Sequence, residues 1–439
     1  MRNNTGYTKN IEVLAYHDLD NKTGCQMAMQ EVKGKFYLYI ASMSNCGWHI
    51  LEVTDPAKPR YVKWLEGPKE DGTKTLKIQI ADGIMITSVQ NNVEGIYIWD
   101  VKDPENPKFL SHWSTGVLAG NTHRNFYNGG RYVYLASVAK GFCYRILRIV
   151  DIIDPEHPVE VGRWWSQEQW VAGLKQNERE AYPIRPDAMN IDVWAGLHGP
   201  AWVHGNIAYC GWEEQGLIIL DVSDPTLPQK LGQLKFHPPF TGVTAGAWCH
   251  TAVKMSKRPY VLFNSEGERF PLYTKEILAN YPTPPMALLG IADVSDPSNP
   301  TLISMFPYPE VPPGFPFKNF NDMGLGLPGP FGPHNIHESH GPALEDRDDR
   351  TYCAYFHAGL RVYDISDPYV PKEIAYYIPP NPTKWLYGTP RPQHDPKFDL
   401  FAMPRGPKVA TTEDVIVDHR GYIYLDMYHD GLWVCKCTV

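Results

Sequence analysis

Along its 439 residues, this chain repeats one short pattern six times: an apolar run followed by an Asp-Pro dipeptide. The aspartates of these dipeptides are Asp55, Asp103, Asp154, Asp224, Asp296 and Asp367. They follow one another at intervals of 48, 51, 70, 72 and 71 residues. Repeats of this length, each with strands and a turn, are typical of proteins built as radial or stacked arrays. The pattern therefore restricts the fold to a ring or a solenoid of similar units.

Each repeat predicts four short β-strands. In the clearest copy, runs of apolar, β-branched and aromatic residues begin near His198, Ile207, Leu217 and Gln229. Gly, Asn, Asp and Pro residues separate these runs, and such residues are strong signals for turns between strands. Four strands per repeat match the blade of a β-propeller.

The two ends of the sequence predict a closed ring. The last repeat begins at Leu432 and reaches Val439 without an Asp-Pro turn or a fourth strand. Residues 11–17, Ile-Glu-Val-Leu-Ala-Tyr-His, are similar to the fourth-strand sequence that begins at Lys372. We therefore expect the first strand to complete the last repeat, which closes a ring of seven blades.

Three of the apolar runs resemble a known repeat. Leu147-Arg-Ile-Val-Asp, Leu217-Ile-Ile-Leu-Asp and Leu360-Arg-Val-Tyr-Asp are similar to the LVIVD repeat, whose proteins are β-propellers. With six copies and a truncated seventh, the resemblance covers nearly the whole chain. It implies an all-β, seven-bladed β-propeller, and it implies little about function because the family is functionally heterogeneous.

We expect one propeller domain over residues 1–439. The expected blades are 19–66, 67–114, 115–166, 190–236, 244–306, 333–379, and 408–439 completed by 9–17. Four insertions are expected on the face opposite the Asp-Pro turns: 164–196, 266–287, 307–332 and 378–408. They are rich in Trp, Tyr, Phe and Pro, a composition that predicts a semi-rigid apolar lid. Alternatively, the insertions thicken the ring or form a subunit contact.

Composition disfavours several classes of partner. The net charge is −8 at pH 7 and the pI is 6.1, which argues against nucleic acid or an anionic membrane as a partner. No run of 18 apolar residues is present, so we expect no membrane-spanning helix. The first residues lack the apolar core of a secretory signal, and we expect a cytoplasmic protein that acts on a small molecule.

Histidines recur at one register position. Counting back 10 to 12 residues from the tyrosine of a second strand leads to His123, His198, His250 and His340, and to Glu413 in the last repeat. The innermost strand of each blade begins at this position, so we expect these side chains to converge at the axis. Neutral imidazole is a common ligand for zinc, copper, iron and nickel. The sequence therefore predicts an axial metal site, in which His334 or His337 replaces His340 if the sixth repeat has another register.

A second polar set is predicted in the loops after the second strands. Three residues before the leucine of the apolar run stand Glu214, His357 and His429. We expect these residues to surround the axial histidines at a larger radius. Together with Glu413, they are candidates for hydrogen bonding to the ligands or for proton transfer.

Three hypotheses about function follow. The leading one is a metal-dependent enzyme, with iron or copper, that oxidises or oxidatively cleaves a small apolar or aromatic molecule. Such a site is similar to that of the carotenoid-cleaving propellers, whose iron has four histidine ligands, although none of their motifs is present. The second is a lyase or hydrolase in which zinc or manganese acts as a Lewis acid. The third is a non-catalytic binding scaffold, because a propeller fold does not imply a function.

Overall fold

The chain folds into seven four-stranded antiparallel sheets, which are the blades of a propeller. The computed structural model describes residues 6–43, 45–68, 74–90, 95–117, 122–170, 196–235, 249–266, 288–316, 318–320, 331–384 and 410–439. Innermost strands of neighbouring blades lie side by side around the axis. The predicted all-β, seven-bladed propeller is confirmed.

The first three blades follow one another in sequence, after two N-terminal strands. These two strands are β1 (Tyr7–Lys9) and β2 (Ile11–His17). Blade 1 contains β3 (Met27–Val32), β4 (Lys35–Ala41), β5 (Gly47–Glu52) and β6 (Arg60–Glu66). Blade 2 contains β7 (Lys74–Ala81), β8 (Ile84–Gln90), β9 (Gly95–Asp100) and β10 (Lys108–Trp113). Blade 3 contains β11 (Thr122–Phe126), β12 (Tyr132–Val138), β13 (Arg145–Asp151) and β14 (Val159–Trp164).

The remaining blades complete the ring. Blade 4 contains β15 (Ala201–His204), β16 (Ile207–Gly211), β17 (Leu217–Asp221) and β18 (Gln229–Leu234). Blade 5 contains β19 (Thr251–Lys254), β20 (Tyr260–Asn264), β21 (Leu289–Asp293) and β22 (Thr301–Met305). Blade 6 contains β23 (Arg350–Ala354), β24 (Leu360–Asp364) and β25 (Lys372–Ile378). Blade 7 contains β26 (Thr412–Val417), β27 (Tyr422–Met427) and β28 (Gly431–Cys437).

Strand β2 closes the ring. It pairs antiparallel with β28, with Ile11 opposite Cys437 and His17 opposite Leu432. The two ends of the chain are thereby held in one sheet, and the predicted closure is confirmed.

Blade 6 departs from the pattern at both edges. On its outer side, β1 pairs with β25, with Tyr7 opposite Ile378, a strand that the repeat did not predict. On its inner side a short segment replaces a regular strand, and it contacts β23 through an isolated bridge between Ile336 and Cys353. The N-terminal residues therefore tie blade 6 to blade 7.

The repeated Asp-Pro dipeptides form turns. In blade 4 the Asp224 carboxylate accepts a hydrogen bond of 2.9 Å from the Thr226 amide, and its carbonyl accepts one of 3.1 Å from Leu227. Asp296 and Asp367 accept equivalent side-chain bonds in blades 5 and 6. An aspartate that caps its own turn satisfies backbone donors at the strand end. The repeated aspartates therefore stabilise the fold and are not candidates for chemistry.

The opposite face carries the predicted insertions and is called the insertion face below. Innermost strands begin on this face, and the loops between second and third strands also lie there. The described part of the first insertion is aromatic: Trp165 and Trp170 pack against Phe142 with ring centroids 4.8 and 5.1 Å apart. Most of the other residues of the four insertions lie outside the described residues. The described parts of the chain include no helix long and apolar enough to cross a membrane.

Candidate metal centre

Four histidine rings lie in a row at the inner edges of blades 3 to 6. Neighbouring ring centroids are 4.4 Å apart for His123 and His198, and 4.3 Å apart for His198 and His250. The centroids of His250 and His334 are 5.0 Å apart. The centroid of a metal-bound imidazole lies roughly 3.2 Å from the ion, so neighbouring ligands have centroids about 4.5 Å apart at right angles and about 5.2 Å apart in a tetrahedral site. The spacing of this histidine row is close to that of neighbouring ligands of one ion.

The prediction that His340 belongs to this row is wrong, because His334 takes its place. The amide of His334 donates to the Ala354 carbonyl at 2.8 Å, which places His334 at the start of the inner segment of blade 6. Residues 338–349 then lie in the connection to β23, so counting back 12 residues from Tyr352 stops at His340, short of the segment. The His340 ring instead lies 6.1 Å from the Trp202 ring.

His337, the other alternative for blade 6, has a structural role. Its Nε2 donates to the Glu345 carbonyl at 2.9 Å, and its Nδ1 accepts a hydrogen bond of 3.2 Å from the Val417 amide. Burial lowers the pKa of His337 to about 4, so the ring is neutral and suited to these two bonds. Both nitrogens are in use, which leaves His337 no donor atom for a metal.

A carboxylate that the sequence reasoning missed, Glu266, reaches the histidine row. One of its oxygens is 3.5 Å from His198 Nε2 and 3.8 Å from His250 Nε2, and the other is 3.5 Å from His334 Nε2. Glu266 lies two residues after β20, and Glu213 lies two residues after β16. A count forward from the second strand finds this shared position, whereas the count back from the third strand does not.

The separations fit metal ligands better than direct hydrogen bonds. An N–H···O hydrogen bond is about 2.7–3.2 Å long, so the distances of 3.5–3.8 Å to Glu266 are too long for good ones. Two ligands bound at about 2.0–2.2 Å in a tetrahedral site lie roughly 3.4 Å apart. The donor atoms of His198, His250 and Glu266 all lie within 4.8 Å of one another. These three residues can therefore hold one ion with small adjustments.

His250 is oriented for this role. Its Nδ1 lies 2.6 Å from the Thr251 hydroxyl, while its Nε2 has no hydrogen-bond partner among the described residues. The side chain is fully buried. A buried polar atom without a partner costs about 1–3 kcal/mol, and a bound ion would remove that cost.

The buried position keeps three of the imidazoles neutral. Burial lowers the pKa of His123, His198 and His250 well below its ordinary value of 6.5. Nearby positive charges, among them those of Arg145 and Lys77, lower these pKa values further. A neutral imidazole offers a lone pair to a metal, so no proton has to be displaced near pH 7.

Glu413 orients His334. The Nδ1 of His334 lies 2.9 Å from the Glu413 carbonyl oxygen and 3.0 Å from its carboxylate oxygen Oε2. Burial opposes the ionisation of Glu413, but the contact with His334 and the charge of Lys77 outweigh it and lower its pKa to about 2. A carboxylate behind a histidine fixes the ring and makes it a better ligand. These contacts suit Glu413 to positioning His334, the first of the two roles expected for it.

The second predicted set lies in the loops after the second strands. The His357 ring packs against Phe320 and Phe331, each with a centroid distance of 5.7 Å. The His429 ring lies 6.0 Å from the Tyr428 ring. The side chain of Glu214 lies outside the described residues.

Asp426 is a buried acid near Glu413. Neither of its carboxylate oxygens has a hydrogen-bond partner among the described residues. Burial raises its pKa well above the ordinary value of 3.8, and the charges of Glu413 and Asp414 add to this effect. The folded protein therefore keeps a proton on Asp426 that the unfolded chain loses above about pH 4.

This difference makes stability depend on pH. A raised pKa in the folded state contributes stability below the unfolded pKa, and the contribution is lost as the pH rises towards the folded pKa. We expect Asp426→Asn to gain stability relative to wild type over this range, by up to about 1.4 kcal/mol per pH unit. Urea denaturation at pH 5 and pH 8 measures the effect, with the exposed turn variant Asp296→Asn as control. An equal stability difference at both pH values would contradict the assignment.

Seven four-stranded blades around an axis, with a row of buried histidines, define a β-propeller with a polar centre. The LVIVD repeat model matches residues 129–165, 199–234, 287–306 and 349–378, within blades 3 to 6. The protein is therefore a β-propeller that carries LVIVD repeats in these four blades.

Comparison with solved structures agrees on the fold. The β-propeller domain of Cps50 (Swd1) from Myceliophteria thermophila aligns with a TM-score of 0.54 and 9% identity, over 98% of this chain and 100% of its own. The computationally designed protein Ika8 aligns with a TM-score of 0.48 and 8% identity, over 96% of this chain and 98% of its own. At 9% identity, the likeness to the Cps50 propeller supports the fold alone. No curated protein matches the sequence.

Proposed function

We propose that this propeller is a metal-dependent enzyme that oxidises or oxidatively cleaves a small apolar or aromatic molecule. The observation that carries the proposal is the buried donor set: the row of four histidines with Glu266 beside three of them at 3.5–3.8 Å. Such a set without a metal leaves polar atoms such as His250 Nε2 unsatisfied.

The kinds of donor favour iron. Two histidines and one carboxylate with open positions are the donor set of non-haem iron(II) oxygenases, and His198, His250 and Glu266 form such a group. His334 and His123 flank it on either side. A bound iron(II) ion would supply the means to activate dioxygen. The roles of the protein are to hold it in a dry site and to leave a coordination position open.

Aromatic side chains beside the centre support an apolar substrate. The Phe356 ring stacks on His334 with a centroid distance of 4.7 Å and an interplanar angle of 19°. Phe356 is fully buried and has a φ of +47°, a strained conformation for a residue other than glycine. Such strain clusters at functional sites, where the surroundings hold it in place. Phe320 and Phe331 are buried, stack with centroids 5.6 Å apart and pack against the His357 ring.

Oxygen uptake tests the proposal. Protein loaded anaerobically with iron(II) is mixed with a panel of small aromatic molecules, and dioxygen consumption is followed with an electrode. We expect uptake that depends on the added molecule, and no uptake by zinc-loaded protein, because zinc has no redox chemistry. Turnover by the zinc form without dioxygen would contradict the redox assignment and favour the Lewis-acid alternative.

A further inference from the structure

The metal donors occupy only one side of the axis. The histidine row comes from blades 3 to 6, and no histidine of blades 7, 1 or 2 joins it among the described residues. Blades 7, 1 and 2 contribute Glu413, Cys25 and Lys77, and Glu413 contacts the other two. The Glu413 oxygen Oε1 lies 3.5 Å from Lys77 Nζ and 3.5 Å from Cys25 Sγ, while its other oxygen contacts His334. Through Glu413, this chain of contacts links Lys77 to His334 of the histidine row.

Lys77 is a buried cation with spare hydrogen-bonding capacity. Its side chain is 4% exposed, and its one hydrogen bond among the described residues goes to Glu413. An ammonium group has three protons to donate, and a single contact of 3.5 Å uses one of them weakly.

We infer that Lys77 binds an anionic oxygen of the substrate, such as a carboxylate or an enolate, at the open side of the metal centre. The inference rests on the proposed metal site and narrows its substrate to a small organic anion with an apolar body. Between the metal and the ammonium group, an anion is stabilised from both sides in a site that excludes water. The remaining protons of Lys77 are available to donate to it.

Azide binding to iron-loaded protein tests this role, because azide is a small anion that binds open metal positions and changes the absorption spectrum. Lys77→Met keeps the length of the side chain and removes its charge. We expect the azide affinity of the Lys77→Met variant to fall about 10- to 100-fold, because a hydrogen bond to a charged group usually contributes this much to binding. Acetate is expected to compete with azide in wild type, and the neutral isostere acetamide is not.

Lys254→Met is the matched control. Lys254 is also a buried lysine of an innermost strand, but its Nζ donates to the Arg258 carbonyl at 2.7 Å, at the other end of β19. This variant should bind azide like wild type. Unchanged azide affinity in Lys77→Met, or loss of its metal, would overturn the inference, since loss of metal would show that the lysine only supports Glu413. The metal content of wild type is measured before azide is added. If wild type holds no metal, the proposed function fails, and the role of Lys77 is not the cause.

Discussion

His250→Ala is expected to lose its metal ion, with bound metal falling from about one ion per chain to below about 0.1. The side chain supplies Nε2 to the donor group with His198 and Glu266, and its Nδ1 is already engaged by Thr251. Alanine offers no donor atom, and no other described side chain places an imidazole at this position. Metal analysis of protein purified without a polyhistidine tag measures the loss, and the oxygen uptake should disappear with it.

His340→Ala is the matched control for this prediction. His340 is a buried histidine of the neighbouring blade, and burial lowers its pKa to about 4, but its ring lies beside Trp202 and outside the histidine row. This variant is expected to cost stability and to keep the metal. Loss of metal from His340→Ala together with normal metal content in His250→Ala would show that the row has been assigned wrongly.

Removal of residues 1–17 is expected to destabilise the ring by more than about 4–5 kcal/mol, which is the upper range for a single substitution. Strand β2 pairs along its length with β28, from Ile11 opposite Cys437 to His17 opposite Leu432. Without it, blade 7 keeps three strands and exposes the edge of β28, which favours aggregation. Thermal unfolding and light scattering measure both effects.

A shorter deletion separates ring closure from general loss of chain. Removal of residues 1–9 takes away β1, which pairs with β25 of blade 6, and leaves β2 in place. We expect a smaller loss of stability and no aggregation. If both deletion variants unfold at the same temperature as wild type, strand β2 does not hold the ring together.

The fold was predictable because its signals are local and repeated. Each Asp-Pro turn, such as that of Asp224, caps itself with bonds within four residues and therefore leaves the same mark in every repeat. The similarity between residues 11–17 and the strand from Lys372 predicted the closure. Strand β1 was not predictable in this way, because three residues carry no pattern of their own.

The site was predictable only where the connections have a common length. His123, His198 and His250 follow from counting because the hairpins after them are short. The same count fails at His334, since a longer connection separates its segment from β23. Glu266 was missed for a similar reason: Glu213 stands shortly before β17, whereas a long insertion separates Glu266 from β21. Glu213 and Glu266 occupy equivalent positions because each follows the end of the second strand of its blade by two residues.

X-ray absorption spectroscopy and anomalous diffraction on untagged, iron-loaded protein test the metal centre most directly. The predicted result is one ion at the inner edges of blades 4 to 6. Its ligands are expected to be His198, His250 and Glu266 at about 2.0–2.2 Å, with His334 and His123 beside them. A centre without an ion, in which Glu266 and the histidines hydrogen-bond to one another or to water, would contradict the account. It would leave the protein as a binding scaffold.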